Sequence, residues 1–237
     1  MKIITEQRRT APKGIIYGPP GIGKTTFGAS APKSVVIDCE NGSGALKVNG
    51  KPVTRTPYLS TWTEIHEALQ YMATEKHDYQ AIAIDSLDWC LRRIEEHVSG
   101  CAKDSSSTLN RSHGGYGNGK QVMKNYIYAG LLPLLDKIAI RGIGVMLLTH
   151  AKRVDITDID GVTTEKTSAD IADDYLSIIV EWSDFVCLAR KDPKGNRVMI
   201  TEETPRALAK NRYGMPPVVD FNWPSFVAAI SGKGANG

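Results

Sequence analysis

Residues 18 to 26 read Gly18-Pro19-Pro20-Gly21-Ile22-Gly23-Lys24-Thr25-Thr26. Gly18, Gly23, Lys24 and Thr25 fit the G-x-x-x-x-G-K-[ST] phosphate loop. The apolar run before it, Ile15-Ile16-Tyr17, predicts a short buried strand, and the small residues after it can open a helix. A strand that turns sharply into a helix aims several backbone N–H groups and the positive end of the helix dipole at one spot. Glycines let the chain wrap a phosphate group without Cβ clashes. Lys24 adds a cation for the β and γ phosphates of a nucleotide, and the Thr25 hydroxyl is suited to Mg²⁺.

The rest of the composition sets outer limits. The chain has 237 residues, long enough for one sizeable α/β domain or one domain with appendages, and its 41% hydrophobic and 23% charged residues are those of an ordinary globular protein. A formal charge of +3 is too small to identify a nucleic-acid binder, so any basic footprint must be local. No apolar run approaches a membrane span, and Met1-Lys2-Ile3-Ile4-Thr5-Glu6 has no signal-peptide core, so the expected location is the cytoplasm. Cys39, Cys90, Cys101 and Cys187 form no C-x-x-C pair and read as reduced thiols; His97 and Cys101 share a helical spacing but are too few for a metal site.

Strand-like and helix-like segments alternate, which predicts a mainly parallel sheet covered by helices. Buried strands are expected at Ser34–Glu40, Ala81–Ser86 and Val145–His150. Thr61 and Glu64 have capping-box spacing, followed by Trp62, Ile65, Leu69 and Met72 on one helical face. Further helices are expected from Ser86 to about His97, from Gln121 to Arg141, from Ile171 to Trp182 and from Pro224. A hairpin should turn at Asp192-Pro193-Lys194-Gly195-Asn196, and a strand should lie around Ala207–Lys210. Two polar segments, about 100–120 and 151–168, read as mobile loops, the second with a turn signal at Asp160-Gly161. Residues 1–13 read as a flexible arm and 231–237 as a disordered tail around a core of 14–230.

Turnover of a nucleotide needs more than the loop. Asp85 ends an apolar strand, where an acid can complete the Mg²⁺ shell; alternatively it caps the next helix. Asp38 and Glu40 both lie at the tip of the preceding strand, and alternation points them the same way, so the pattern does not rank them as holder of the attacking water. His150, ending a third strand, can sense the γ phosphate or merely close the strand end.

These residues together resemble the RecA-type branch of P-loop ATPases, most closely the compact phage ATP-binding proteins of single-strand annealing or recombination. The resemblance runs from about Gly14 to Trp223. It implies a single RecA-like core with a C-terminal β-hairpin extension, ATP and Mg²⁺ as ligands, and the host cytoplasm as location if the chain is phage-encoded. Members carry a catalytic glutamate in a strand ending Asp-x-Glu, which favours Glu40 over Asp38, and a Walker-B strand matched by Ile84-Asp85-Ser86. Where they have a polar sensor, usually glutamine, this chain has His150. Lys210-Asn211-Arg212-Tyr213-Gly214 is similar to the hairpin of RecA-fold hexameric helicases, whose lysine and arginine reach a neighbouring subunit's γ phosphate. That implies roles in trans for Lys210 and Arg212 and self-association into a ring or filament. The two polar segments correspond in order to DNA-facing loops, making Lys103, Arg111, Tyr116, Lys120, Lys152 and Arg153 candidates for single-stranded DNA, with a single-strand-binding protein as a possible partner. Two other functions compete: a nucleotide-switched accessory protein with little turnover, and a small-molecule P-loop kinase.

Overall fold

The computed structural model describes residues 10–101, 108–157 and 159–232. β1 (Lys13–Gly18) runs through the phosphate loop into α1 (Lys24–Ala29), followed by β2 (Ser34–Asp38) and a small ribbon of β3 (Lys47–Val48) with β4 (Lys51–Pro52). Then come α2 (Trp62–Thr74), β5 (Ala81–Asp85), α3 (Leu87–Gly100), α4 (Asn118–Asn125), a π turn over Tyr126–Leu131 and α5 (Leu132–Ile140). β6 (Gly144–Thr157) and β7 (Thr163–Ala169) precede α6 (Asp173–Trp182), β8 (Phe185–Lys191), β9 (Arg197–Ile200), β10 (Lys210–Asn211), β11 (Val218–Asp220) and α7 (Trp223–Ile230).

The central sheet has the order β11-β9-β8-β1-β6-β5-β2. β8, β1, β6, β5 and β2 are mutually parallel, and β9, β10 and β11 add on antiparallel beyond β8. Parallel strands covered on both faces must be apolar throughout, and β1, β2 and β5 are buried almost end to end. Alternation then sorts side chains between two cores. Ile15, Tyr17, Ile82, Ile84, Val145 and Leu147 pack under α2, α3, α5 and α6. Ile16, Ala83, Met146, Leu148, Cys187 and Met199 pack under α1 and α7, where Phe27 stacks on Phe221 at 4.7 Å.

The α/β architecture, the parallel sheet and the hairpin at 192–196 follow the expectations from sequence. The capping box forms: Glu64 N donates to Thr61 Oγ1 at 3.3 Å while the Glu64 carboxylate accepts from Thr61 N at 2.9 Å. Five expectations need correction. Residues 151–168 are not a loop: β6 runs on past the sheet and pairs with β7 from Ala151↔Ala169 to Thr157↔Thr163. Its alternating Thr, Lys, Val and Ile residues are good strand formers once a turn near Asp160-Gly161 brings the two arms together. The helix expected over Gln121–Arg141 is interrupted by the π turn, directly before Pro133, which has no N–H for the regular helical bond. The strand expected at Ala207–Lys210 shrinks to Lys210–Asn211, Ala207 making only single bridges to Thr167 and Thr204. Asp85 does not cap the next helix: Ser86 stands at the N-cap of α3, without a side-chain capping bond. The first polar segment is shorter than expected, because α3 extends to Gly100 and α4 starts at Asn118. Lys103 and Ser105–Ser107 lie outside the described residues, as do most of the arm and the tail.

Seating of α1 depends on one glycine. A Cβ on Gly28 would stand 2.7 Å from Ala83 Cβ and 3.3 Å from Leu148 Cδ1. Gly28→Val should therefore lift the phosphate-loop helix off β5 and β6 and cost about 1–3 kcal/mol. Thermal denaturation should show a melting temperature several degrees lower, and an unchanged melting temperature would contradict this packing.

Candidate functional site

Register brings the ends of β1, β2 and β5 level with His150, inside the longer β6. Gly18 pairs with His150 across β1 and β6, Asp85 with Leu148 across β5 and β6, and Asp38 with Asp85 across β2 and β5. At these tips a cleft of about 400 Å³ is lined by Pro20, Gly21, Gly23, Lys24, Thr25, Thr26, Glu40, Gly42, Leu46, Asp85, His150 and Arg197. Gly21 (φ 74°) and Gly23 (φ 104°) take left-handed backbone, which fits them for the loop's turn.

Lys24 is buried, and its ammonium donates to the carbonyls of Gly18 at 3.0 Å and Pro19 at 3.2 Å. Burial lowers its pKa, while Asp85, Glu40 and Asp88 oppose that shift. Asp85 is moved the other way: burial raises its carboxyl pKa, the Thr25 hydroxyl counteracts this, and Glu40 and Asp38 add to it. Both groups are thus pushed toward their neutral forms. For the raised acid, the native state's tighter hold on its proton favours folding at low pH, and that advantage is lost as pH rises through its folded pKa. Beside it the Ser86 hydroxyl is buried with no partner among the described residues. The desolvated Asp85 carboxylate and the Thr25 hydroxyl bonded to it form a hard oxygen pair on the cleft wall that fits a Mg²⁺ ion, and the buried ammonium with the glycine-rich loop fits phosphate.

Two acids that sequence pattern left unranked have different surroundings. Asp38 is buried and used up in structure: it accepts from Asn41 N at 2.7 Å, Ser43 N at 3.4 Å and Ser43 Oγ at 2.5 Å, and lies 3.7 Å from Arg55. β2 ends at Asp38, so strand alternation no longer governs the next residues and Glu40 swings into the cleft. Glu40 Oε1 is 3.8 Å from His150 Nε2. His150 is not a strand cap: its Nδ1 faces Asp88 Oδ2 at 3.0 Å, and Asp88 Oδ1 accepts from Thr149 Oγ1 at 3.0 Å. A carboxylate on one ring nitrogen sets which nitrogen faces the cleft. The resulting chain runs Asp88–His150–Glu40.

Lys210 and Arg212 do not come to this cleft within the chain. Lys210 pairs with Val186 near the start of β8, at the far end of the sheet from the phosphate loop. Its ammonium donates to Val180 O at 2.6 Å and Glu181 O at 2.9 Å, while Arg212 binds Asp184 Oδ1 at 3.3 Å and Glu181 O at 3.4 Å. Both therefore satisfy the carbonyl end of α6, a common use of cations at a helix C-terminus. Of the other cations, Lys152 reaches Ile171 O at 2.7 Å and Asp173 at 3.3 Å, Arg153 pairs with Glu165 at 3.4 Å, and Lys120 lies 3.6 Å from Asp174. Arg111 and Tyr116 are exposed.

Sequence reading missed Arg197, which lines the cleft, and Asp88, which holds His150 from behind it. Asp88 lies three residues after Asp85, in the first turn of α3, a spacing that could have flagged it. Arg197 enters through the pairing of β9, which no local pattern reveals. All four cysteines are free, and among the described residues no group of three or more His, Cys, Asp or Glu side chains forms a metal cluster, nor is any helix long and apolar enough to cross a membrane.

A family model described as an AAA domain matches residues 10–213. No curated protein matches the chain.

The different duties of the two acids are testable. Asp38→Ala would strip several bonds from a buried site and should cost roughly 2–4 kcal/mol. Glu40→Ala, half in solvent, should stay within about 0.5 kcal/mol of the wild type. Denaturant melts of the two variants check this, and equal losses would contradict the assignment.

Proposed function

The chain belongs to the AAA domain family, a P-loop NTPase-type domain, and on that premise we propose that it is a RecA-type, Mg²⁺-dependent ATPase acting on single-stranded DNA in recombination or annealing. The observation that carries the nucleotide part is the meeting of Lys24, Thr25, Asp85, Glu40 and His150 around one cleft at the strand tips. Lys24 and the loop amides would hold the phosphates, and Thr25 with Asp85 the metal, which when bound supplies charge neutralisation at the phosphates. Glu40 is the group placed to orient a water and take its proton. His150, held by Asp88, positions Glu40 or reads the end of the phosphate chain.

Support for the DNA part is more distant and comes from continuity. β6 carries His150 at the cleft and continues without a break into the β6–β7 hairpin. Beside that hairpin a second cleft, of about 630 Å³, shares Pro20 with the first and is bordered by Lys152, Arg153, Arg190 and Arg206. Four cations against the two acids Glu165 and Glu202 leave the groove net basic, which suits the backbone of a single strand, and Tyr116, outside this groove, is an exposed stacking face. Self-association into a ring or filament, and work alongside a single-strand-binding protein, belong to the same proposal.

Phosphate release with and without single-stranded DNA tests it. Lys24→Ala should lose ATP binding. Glu40→Gln should keep binding while turnover falls about 100-fold or more. DNA should raise the wild-type rate. Phosphoryl transfer to a small acceptor, indifferent to DNA, would favour a kinase instead; tight binding without turnover, unaffected by Glu40→Gln, would favour a nucleotide switch.

A further inference from the structure

Arg197 reaches the phosphate cleft from the side opposite the acids. It opens β9 immediately after the turn at 192–196. That turn is stiffened by Asp192, whose carboxylate accepts from Lys194 N at 2.9 Å, Asn196 N at 2.8 Å and Asn196 Nδ2 at 2.9 Å. The backbone at 197 is then held from both neighbours, paired with Lys191 of β8 on one side and accepting from Phe221 N at 2.9 Å on the other. Strand alternation does the aiming. Met199 lies in the core filled by α1 and α7, so Arg197, two residues away, projects on the face that carries the phosphate-loop helix. Its guanidinium nitrogen lies 3.1 Å from where a Cβ would stand on Gly23, and the side chain lines the cleft. Among the described residues no carboxylate pairs with it.

The strand order gives the cleft a direction. Glu40 follows the end of β2, Asp85 ends β5 and His150 lies within β6, all on one side of β1, whereas Arg197 comes from β9, with β8 between it and β1. A triphosphate whose terminal phosphate lies among the acids must point its nucleoside toward Arg197. We infer that Arg197 forms the nucleoside end of the site, its guanidinium set against the α phosphate and the base of a nucleoside triphosphate. A guanidinium is planar, always charged and weakly hydrated, so it can stack on a base and face a phosphate together. This assignment rests on the proposal that the cleft holds ATP, and it gives the chain a residue that distinguishes a nucleotide from a bare polyphosphate.

That distinction supplies the experiment. Affinities for Mg²⁺·ATP and for inorganic tripolyphosphate with Mg²⁺ are measured by calorimetry for wild type, Arg197→Ala and Arg197→Lys, with circular dichroism confirming that each variant is folded. Arg197→Ala should weaken ATP about tenfold and leave tripolyphosphate within about twofold of wild type. Arg197→Lys should recover only part of the loss, because an ammonium keeps the charge and loses the plane. Equal losses for both ligands would place Arg197 at the β or γ phosphate and overturn the assignment, as would no loss for either. A wild-type protein that binds neither ligand would overturn the phosphate cleft itself, and this subsite with it.

Discussion

The strands that build this site are held in a register that brings the ends of β1, β2 and β5 level with the middle of the longer β6, and the cleft depends on that register. Asp38 opposite Asp85, Asp85 opposite Leu148 and His150 opposite Gly18 put these positions on one line. Slipping a buried strand by one residue would invert its faces, sending Ile84 and Leu147 out of one core and Ala83 and Leu148 out of the other. The apolar alternation that stabilises the sheet is therefore the same constraint that delivers Asp85 and His150 to a common point. Gly28 and the small Ala83 complete it by letting α1 lie close enough for Lys24 and Thr25 to face them.

Burying that cluster works against the folded protein's own electrostatics. Lys24 is desolvated and must use the carbonyls of Gly18 and Pro19 as partners. Asp85 is desolvated and lies near two further acids. Ser86 keeps a buried hydroxyl unpaired. An anion with a divalent cation would return the cost of desolvating Lys24 and Asp85, which both line the cleft, so that part of the strain is directed at a ligand. Surrounding acids are managed differently: Asp38 is neutralised by a web of donors and Arg55, and Asp88 is occupied by Thr149 and His150, which leaves Glu40 the least engaged carboxylate of the group.

Much of this was legible in the chain because it is local. A phosphate loop, a capping box and apolar runs of strand length are written in consecutive residues, and the parallel sheet follows from their alternation with helices. What sequence could not show was set by pairing across distance. Residues 151–168 look like a polar loop until the two arms are laid side by side, and only then do their charges become the rim of a hairpin. Asp38 and Glu40 are equivalent on an ideal strand and differ because β2 stops between them. Lys210 and Arg212 carry a suggestive motif, yet Val180 and Glu181, far off in sequence, supply the carbonyls that bind them. Arg197 has no motif, and its aim exists only through the pairing of β9 with its neighbours.

The central claim is that a nucleotide's metal sits between the end of β5 and the first turn of α1. Crystals soaked with a non-hydrolysable ATP analogue and Mn²⁺, read by anomalous scattering, test it most directly. The account predicts one strong peak within bonding distance of Thr25 Oγ1, with the Asp85 carboxylate beside it, directly or through a water. A peak elsewhere, or an analogue seated in the cleft beside the β6–β7 hairpin with the phosphate loop bare, would contradict it.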